Sequence, residues 1–314
     1  RTVTGRGKIL VLKPSYHGWH DFYVATQEPG LGVPAPIRAL SDSAPYGDIK
    51  SIKEKLWGNN LGVDCPYAAV ITEPILVPSP IADDRIYPFL QSLRYLCDEA
   101  KCLLIFDEVV TGVRWNPTVA VDSGVIPDLS TLGKAIANGF PLSALVGPRK
   151  YMRFLNQDEV FVSSTFAGDT ISLAAGQATL RKIFDVELDT DGTHNIDLIW
   201  KYGQRYLAVA REALNGFARV EGYPPRYTVI FNDRAVMDLF QQEMVKRGVL
   251  FLGPHNMSLA HCREDVFGAV LAAYRVARQA VVGVVGTLEV DERRQALRAA
   301  LEGKPTQPAY QGRR

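Results

Sequence analysis

Three short segments hold the residues whose types and spacing could do chemistry. The first is Leu103-Leu-Ile-Phe-Asp-Glu-Val-Val-Thr-Gly112, an apolar run that ends in acid at Asp107. An acid at the carboxyl end of a strand lies where open α/β sheets bind their ligands. A carboxylate partly buried there needs a positive or hydrogen-bonding partner. Taken alone, Asp107 reads more simply as a helix cap or loop acid. The second segment is Pro127-Asp-Leu-Ser-Thr-Leu-Gly-Lys-Ala-Ile-Ala-Asn-Gly139, in which Lys134 stands between Gly133 and Ala135. Those small neighbours leave room for a group to approach the amine, although most lysines are merely solvated. The third is the aromatic-rich stretch Tyr16-His-Gly-Trp-His20. Together, a strand-end acid, a lysine between small residues and an aromatic loop are what a pyridoxal phosphate (PLP) site requires. The lysine forms a Schiff base, the acid keeps the pyridine nitrogen protonated, and an aromatic ring stacks on the cofactor.

Other chemistries lack their residues. Gly133-Lys134 is no P-loop, because Asp128 stands where the first glycine belongs and Ala135 follows the lysine. No GxGxxG follows a strand, and no HExxH occurs. His17 and His20 sit three apart without a Cys, Asp or Glu to complete a metal set, so they read as a hydrogen-bonding pair and no metal is expected.

The elements that must position these residues alternate between two periodicities. Ile9-Leu-Val-Leu12, Ala68-Ala-Val-Ile71, Leu103-Leu-Ile-Phe106 and Ala144-Leu-Val146 read as short buried strands. Between the second and third, Ile86, Phe89, Leu90, Leu93, Leu96 and Cys97 share one helical face. Strand, helix, strand at that spacing is a βαβ unit and predicts an α/β fold with a parallel sheet. Residues after Ala25 are rich in Gly and Pro and read as a long loop. From about Ser172 the pattern is mostly helical, with a strand at Tyr227-Thr-Val-Ile-Phe231. A helix capped by Asp233 and stopped near Gly248 follows, then a final amphipathic helix from about Arg263. The domain boundary is expected near residue 184, dividing the chain into 1–183 and 184–314. The tail from Gly303 is polar and reads as loose.

Composition narrows the class. The 35 Lys and Arg against 34 Asp and Glu leave a net charge of +1, which argues against nucleic acid as the main partner. With 47% hydrophobic and 22% charged residues the chain is an ordinary globular one. Residues 266–285 are apolar but interrupted by Arg275, Arg278 and Gln279, so no membrane-spanning role is expected. Four scattered cysteines fit a reduced, cytoplasmic setting better than a disulfide scaffold. Arg1, not Met, opens the chain, which is the expectation for a longer primary product.

With these residues in view, the sequence resembles the class III PLP-dependent aminotransferases, in particular the branch that contains glutamate-1-semialdehyde 2,1-aminomutase. The motifs that carry the resemblance are YHGWHD at 16–21, ITEP at 71–74, FDEVVTGVR at 106–114, PDLSTLGKAIANGFPLSALVG at 127–147 and STFAGD at 164–169. They span the chain from Thr4-Gly-Arg6 to Ser258-Leu-Ala-His261. The resemblance implies fold type I of the PLP-dependent transferases (aspartate aminotransferase-like), a large PLP-binding domain with a mostly parallel sheet and a smaller α+β C-terminal domain. It implies that Lys134 holds the cofactor and moves a proton, that Asp107 pairs with the pyridine nitrogen, and that Val109 and Tyr16 cover the two ring faces. His17 is counted with the cofactor-binding residues, and Glu73 is expected near the cofactor's reactive edge. Thr165 would reach the phosphate of a neighbouring subunit's cofactor, which implies a homodimer; a capped turn before the Ser172 helix is an equal reading of that residue.

Two departures shape the functional expectation. The family carries, before its Thr-Gly-Arg segment, a Ser-Gly-Thr/Ser-Glu-Ala turn that binds phosphate at a helix start. Nothing in these 314 residues matches it, so the large domain reads as N-terminally incomplete. The aminomutase branch also has a longer loop with a substrate-facing Glu before Ser-Leu-Ala-His, where this chain has only Gly253-Pro-His-Asn-Met257. Asp169-Thr170 likewise replaces the usual Asn-Pro. The expectation is therefore an aminotransferase acting on an amino donor and a small keto or aldehyde acceptor. The alternatives are the aminomutase itself and a non-catalytic chain of the same fold. The lid expected to close over the site is the loop 27–36.

Overall fold

The structure is a computed structural model that describes all residues except 28, 29, 31, 59–63, 116, 117, 157, 158, 185–193, 286–289 and 303–314. Parts of the expected lid, and the tail from Gly303, lie outside the described residues. The chain divides into two compact units, Arg1–Ile196 and Asp197–Arg314.

The first unit is built on a six-stranded sheet. Its strands are β1 (Lys8–Lys13), β2 (Ser41–Pro45), β3 (Tyr67–Thr72), β4 (Leu103–Asp107), β5 (Leu129–Leu132) and β6 (Ala144–Val146), in the spatial order β2-β1-β3-β4-β5-β6. Pairs from β2 to β5 are parallel, and β6 runs antiparallel to β5. Leu10, Leu12, Ala68, Val70, Leu104 and Phe106 are all buried, as strands covered on both faces demand. The helix Asp83–Glu99 buries Ile86, Phe89, Leu90, Leu93, Leu96 and Cys97, the face that the periodicity predicts.

Two strands carry no sequence signal. Ser41-Asp-Ser-Ala-Pro45 is polar because β2 lies at the sheet's edge, and Leu-Ser-Thr-Leu at 129–132 is too short to show alternation. Ala144-Leu-Val146 does form a strand, but its expected burial fails. As the other edge strand, it leaves Leu145 and Val146 exposed.

Parts of the quoted motifs serve the scaffold. The Arg6 guanidinium donates to the carbonyls of Tyr67, Ala100 and Lys101, tying the chain's start to the beginnings of β3 and β4. Asp128 accepts from the Leu104 N–H, Arg94 and the Tyr151 hydroxyl, clamping β4 beside β5.

The second unit pairs helices with a three-stranded antiparallel sheet, β7 (Ala218–Tyr223), β8 (Arg226–Phe231) and β9 (Pro254–Asn256), in that order. The segment 253–257, read as a loop, thus contains an edge strand. Its three-residue Pro-His-Asn core is too short and polar to signal one. Asp233 caps the helix Arg234–Val245 by accepting from the Ala235 N–H at 2.7 Å, and Gly248 takes φ 75° beyond its end. The core is aromatic: His255 stacks on Tyr227 with centroids 4.5 Å apart, beside Phe240, Phe251 and Tyr274. The helix Glu264–Val285 is long and apolar enough to cross a membrane by length and composition alone. Within this unit it buries Phe267, Ala273, Tyr274, Ala277, Val281 and Val285, and Arg278 donates to the Ala213 carbonyl.

Candidate active site

The chain leaves β1 towards β2 on one side, whereas β3, β4 and β5 succeed one another on the other. The order therefore reverses between β1 and β3, and the crevice beyond the strand ends at such a reversal is where open α/β sheets bind ligands. Tyr16 and His17 follow β1, Glu73 follows β3, Asp107 ends β4 and Lys134 lies two residues after β5. Four sequence-distant segments thus meet along one edge of the sheet.

Hydrogen bonds lace these loops together. Asp107 is buried, and its Oδ2 accepts from His17 Nδ1 at 2.7 Å. Its Oδ1 accepts from the Val109 N–H at 3.1 Å and from Thr131 Oγ1 at 3.2 Å. Burial pushes the Asp107 carboxyl up, but the interaction with His17, with the two donors to Oδ1, outweighs it and holds the group below the usual aspartate value. Because an ionised carboxylate only accepts, Nδ1 is the protonated nitrogen of His17. That ring is 1% exposed and lies edge-on to Tyr23, and its Nε2 is buried without a partner. Glu73, also buried, accepts from the Tyr16 N–H at 3.0 Å and so fixes the backbone that carries the Tyr16 ring. The Tyr16 ring is 62% exposed and meets Tyr23 edge-to-face.

Lys134 is exposed, and among the described residues it has no hydrogen-bond or ion-pair partner. Its backbone sits at φ 48°, a left-handed conformation that costs a non-glycine residue about 1 kcal/mol. The short turn Lys134–Ala137 holds it there by burying Ile136 and Ala137 against Val113, Leu132 and Leu142. Gly133 keeps the approach open, since a Cβ there would come within 3.3 Å of Val109 Cγ1.

The sequence reading missed some participants. His17 and His20 do not pair with each other: His17 takes Asp107, whereas His20 caps its own short helix. Thr131 escaped notice because a lone threonine in a four-residue strand has no pattern; only its register opposite Asp107 reveals it. Tyr23, which orders Tyr16 and His17, left equally little trace. Thr165 is exposed, with no hydrogen bond to the other site residues, and Asp169 rather than Thr165 caps the helix Thr170–Phe184. Among the described residues no His, Cys, Asp and Glu group could hold a metal.

The donor set fits PLP. An anionic acceptor of lowered pKa suits a protonated pyridine nitrogen, and an amine with no partner among the described residues suits an aldehyde.

Solved structures agree on the class. The FumI protein of Sphingopyxis sp. MTA144, in its PLP internal aldimine form, superposes with a TM-score of 0.75 at 27% identity over 95% of this chain and 69% of its own. An omega-transaminase from Sphaerobacter thermophilus gives 0.73 at 22% identity over 89% and 70%, a likeness of fold. The fold is that of the type I PLP-dependent transferases. Residues 1–260 match the Aminotransferase class-III family, and the chain belongs to it. Proteins named glutamate-1-semialdehyde 2,1-aminomutase are similar over 76–89% of this chain. That of Desulfovibrio desulfuricans is 30% identical over 88% of this chain and 70% of its own length. That of Nitratidesulfovibrio vulgaris is 34% identical over 87% and 68%. The chain spans only 56% of the Methanocaldococcus jannaschii relative, at 31% identity.

Proposed function

We propose that this chain is a PLP-dependent aminotransferase that moves an amino group between an amino donor and a small keto or aldehyde acceptor. The observation that carries the reading is the ionised Asp107, held by His17 one strand away from Lys134, whose amine has no partner among the described residues. Bound PLP supplies an electron sink for the bonds at the substrate's amine-bearing carbon. The Asp107 carboxylate would hold a proton on the pyridine nitrogen, and the His17 N–H keeps that carboxylate ionised and aimed. Lys134 Nζ is the amine that would hold the cofactor aldehyde, and as a free amine it would serve as the base that moves a proton at the substrate's amine-bearing carbon. Val109 and Tyr16 would cover the faces of the ring, and Glu73 anchors the Tyr16 loop.

A homodimer completes the site in this reading, with Thr165 reaching the partner's phosphate. Its support is the apolar surface around that residue: Phe161 is 93% exposed, Phe166 70%, Val162 66% and Ile171 65%. Light scattering after size exclusion checks the mass. Four free thiols fit a reducing, cytoplasmic compartment.

The aminomutase is the second reading, favoured by the names of the relatives. Against it stands the short β9 segment, which contains no acid where that branch has a substrate-facing Glu. One experiment separates the two. Incubating the PLP-loaded protein with glutamate-1-semialdehyde alone should give no 5-aminolevulinate, whereas an added amino donor and a keto or aldehyde acceptor should exchange amine. Rapid conversion without a second donor would establish the mutase instead.

A further inference from the structure

The acid beside Asp107 has no place in the reaction above, yet it is the more deeply buried of the two. Glu108 is 0% exposed. Its Oε2 accepts from the Val119 N–H at 2.8 Å and from Thr111 Oγ1 at 3.1 Å, and its Oε1 accepts from the Ala120 N–H at 3.3 Å. Its backbone is held as well: the N–H donates to the Thr131 carbonyl at 2.9 Å, and the carbonyl accepts from the Gly112 N–H at 2.8 Å. Burial raises its pKa above the usual glutamate value, although the N–H groups of Val119 and Ala120 and the hydroxyls of Thr111 and Thr118 pull the other way.

A fully buried carboxylate is retained at a cost, so what it fixes matters. Both residues flanking Glu108 face the candidate site: Asp107 on the pyridine side and Val109 beside Gly133. With backbone and side chain anchored at five points, Glu108 leaves the peptide between them little freedom. It also ties the loop after β4 to the start of the helix Val119–Ser123. We infer that Glu108 is a positioning residue, whose buried carboxylate sets the orientation of Asp107 and Val109 toward the cofactor ring through Thr111, Val119 and Ala120. The inference rests on the PLP-dependent reading. An amide cannot replace the acid, because one of its two termini is a donor and would face an N–H already pointing inward.

Glu108→Gln tests this, with Thr111→Val as the milder companion that removes one donor and keeps the carboxylate. Two readouts are needed. Hydrogen exchange across residues 108–120, measured without cofactor, should quicken in both variants. PLP titration, followed by visible circular dichroism, should show about tenfold weaker binding for Glu108→Gln and a few-fold weakening for Thr111→Val. The visible dichroism should be reduced in both, because it reports ring orientation. Should Glu108→Gln fail to fold, Thr111→Val carries the same comparison. A folded variant with faster exchange or a lower melting point, but parental PLP affinity and dichroism, would overturn the inference and leave Glu108 a scaffold residue. Failure of the unsubstituted protein to bind PLP would instead sink the aminotransferase reading. In that case parental exchange rates in the variants would still refute the hold on the loop.

Discussion

His17 Nδ1 donates a 2.7 Å hydrogen bond to Asp107 Oδ2, joining the loop after β1 to the end of β4 past the intervening β3. Ninety residues of sequence separate the two. The bond keeps the carboxylate ionised inside the sheet's edge despite its burial.

Removing that donor should be felt by the cofactor. His17→Phe keeps the edge contact with Tyr23 but leaves Asp107 short of a charge-assisted bond worth about 1.5–3 kcal/mol. PLP affinity should fall by about tenfold or more in an absorbance titration, with the fold retained by far-UV dichroism.

Asp107→Asn should lower turnover by orders of magnitude while leaving the fold intact, because a neutral amide cannot hold the pyridine proton. The same variant has a pH signature. Asp107's folded pKa is below its unfolded value, so its contribution to stability is full above the unfolded value of about 3.9 and is lost as pH falls through the folded one. Urea midpoints of the cofactor-free protein should therefore drop less steeply below pH 4 in the variant than in the parent.

Lys134→Ala should abolish the borohydride-reducible PLP adduct and all exchange of amine with a donor. Peptide mass mapping of the parent should place the adduct on Lys134. Location on another lysine would refute the assignment.

A second pH effect belongs to the other unit. Burial holds the His255 pKa below 6.5, only partly offset by its hydrogen bond to the Gly253 carbonyl. Stability from the neutral ring is full above about 6.5 and is lost as pH falls toward the folded value. His255→Phe preserves the stacking on Tyr227, so its urea midpoint should change less between pH 8 and pH 5 than that of the parent.

Packing gives a prediction without charge. In the helix Asn195–Ala213, a Cβ on Gly203 would lie 2.1 Å from the Pro224 carbonyl oxygen, a backbone atom that cannot rotate away. Gly203→Ala should destabilise the protein by about 1–3 kcal/mol, read as a lower denaturant midpoint.

Much of the molecule was legible in its residues. Apolar runs such as Leu103-Leu-Ile-Phe106 fixed the central strands, and the periodicity of 86–97 fixed a helix, because burial on two faces or one leaves its period in the sequence. Asp107, Lys134 and Tyr16 stood out because their chemistry is local and their neighbours unusual. Two edge strands were illegible: β2 and β9 are polar, short and held by backbone bonds that do not depend on side-chain type. Their existence depends on which strand lies alongside. The same holds for His17. Its type made it visible, but two histidines in one loop suggested each other, and only the parallel register of β1, β3 and β4 brings Asp107 within reach of one and not the other. Glu108 and Thr131 are the extreme case. Nothing in a Glu after an Asp, or a Thr in a short strand, foretells burial with converging donors; that follows from where the chain returns, which sequence order does not encode locally and tertiary packing does.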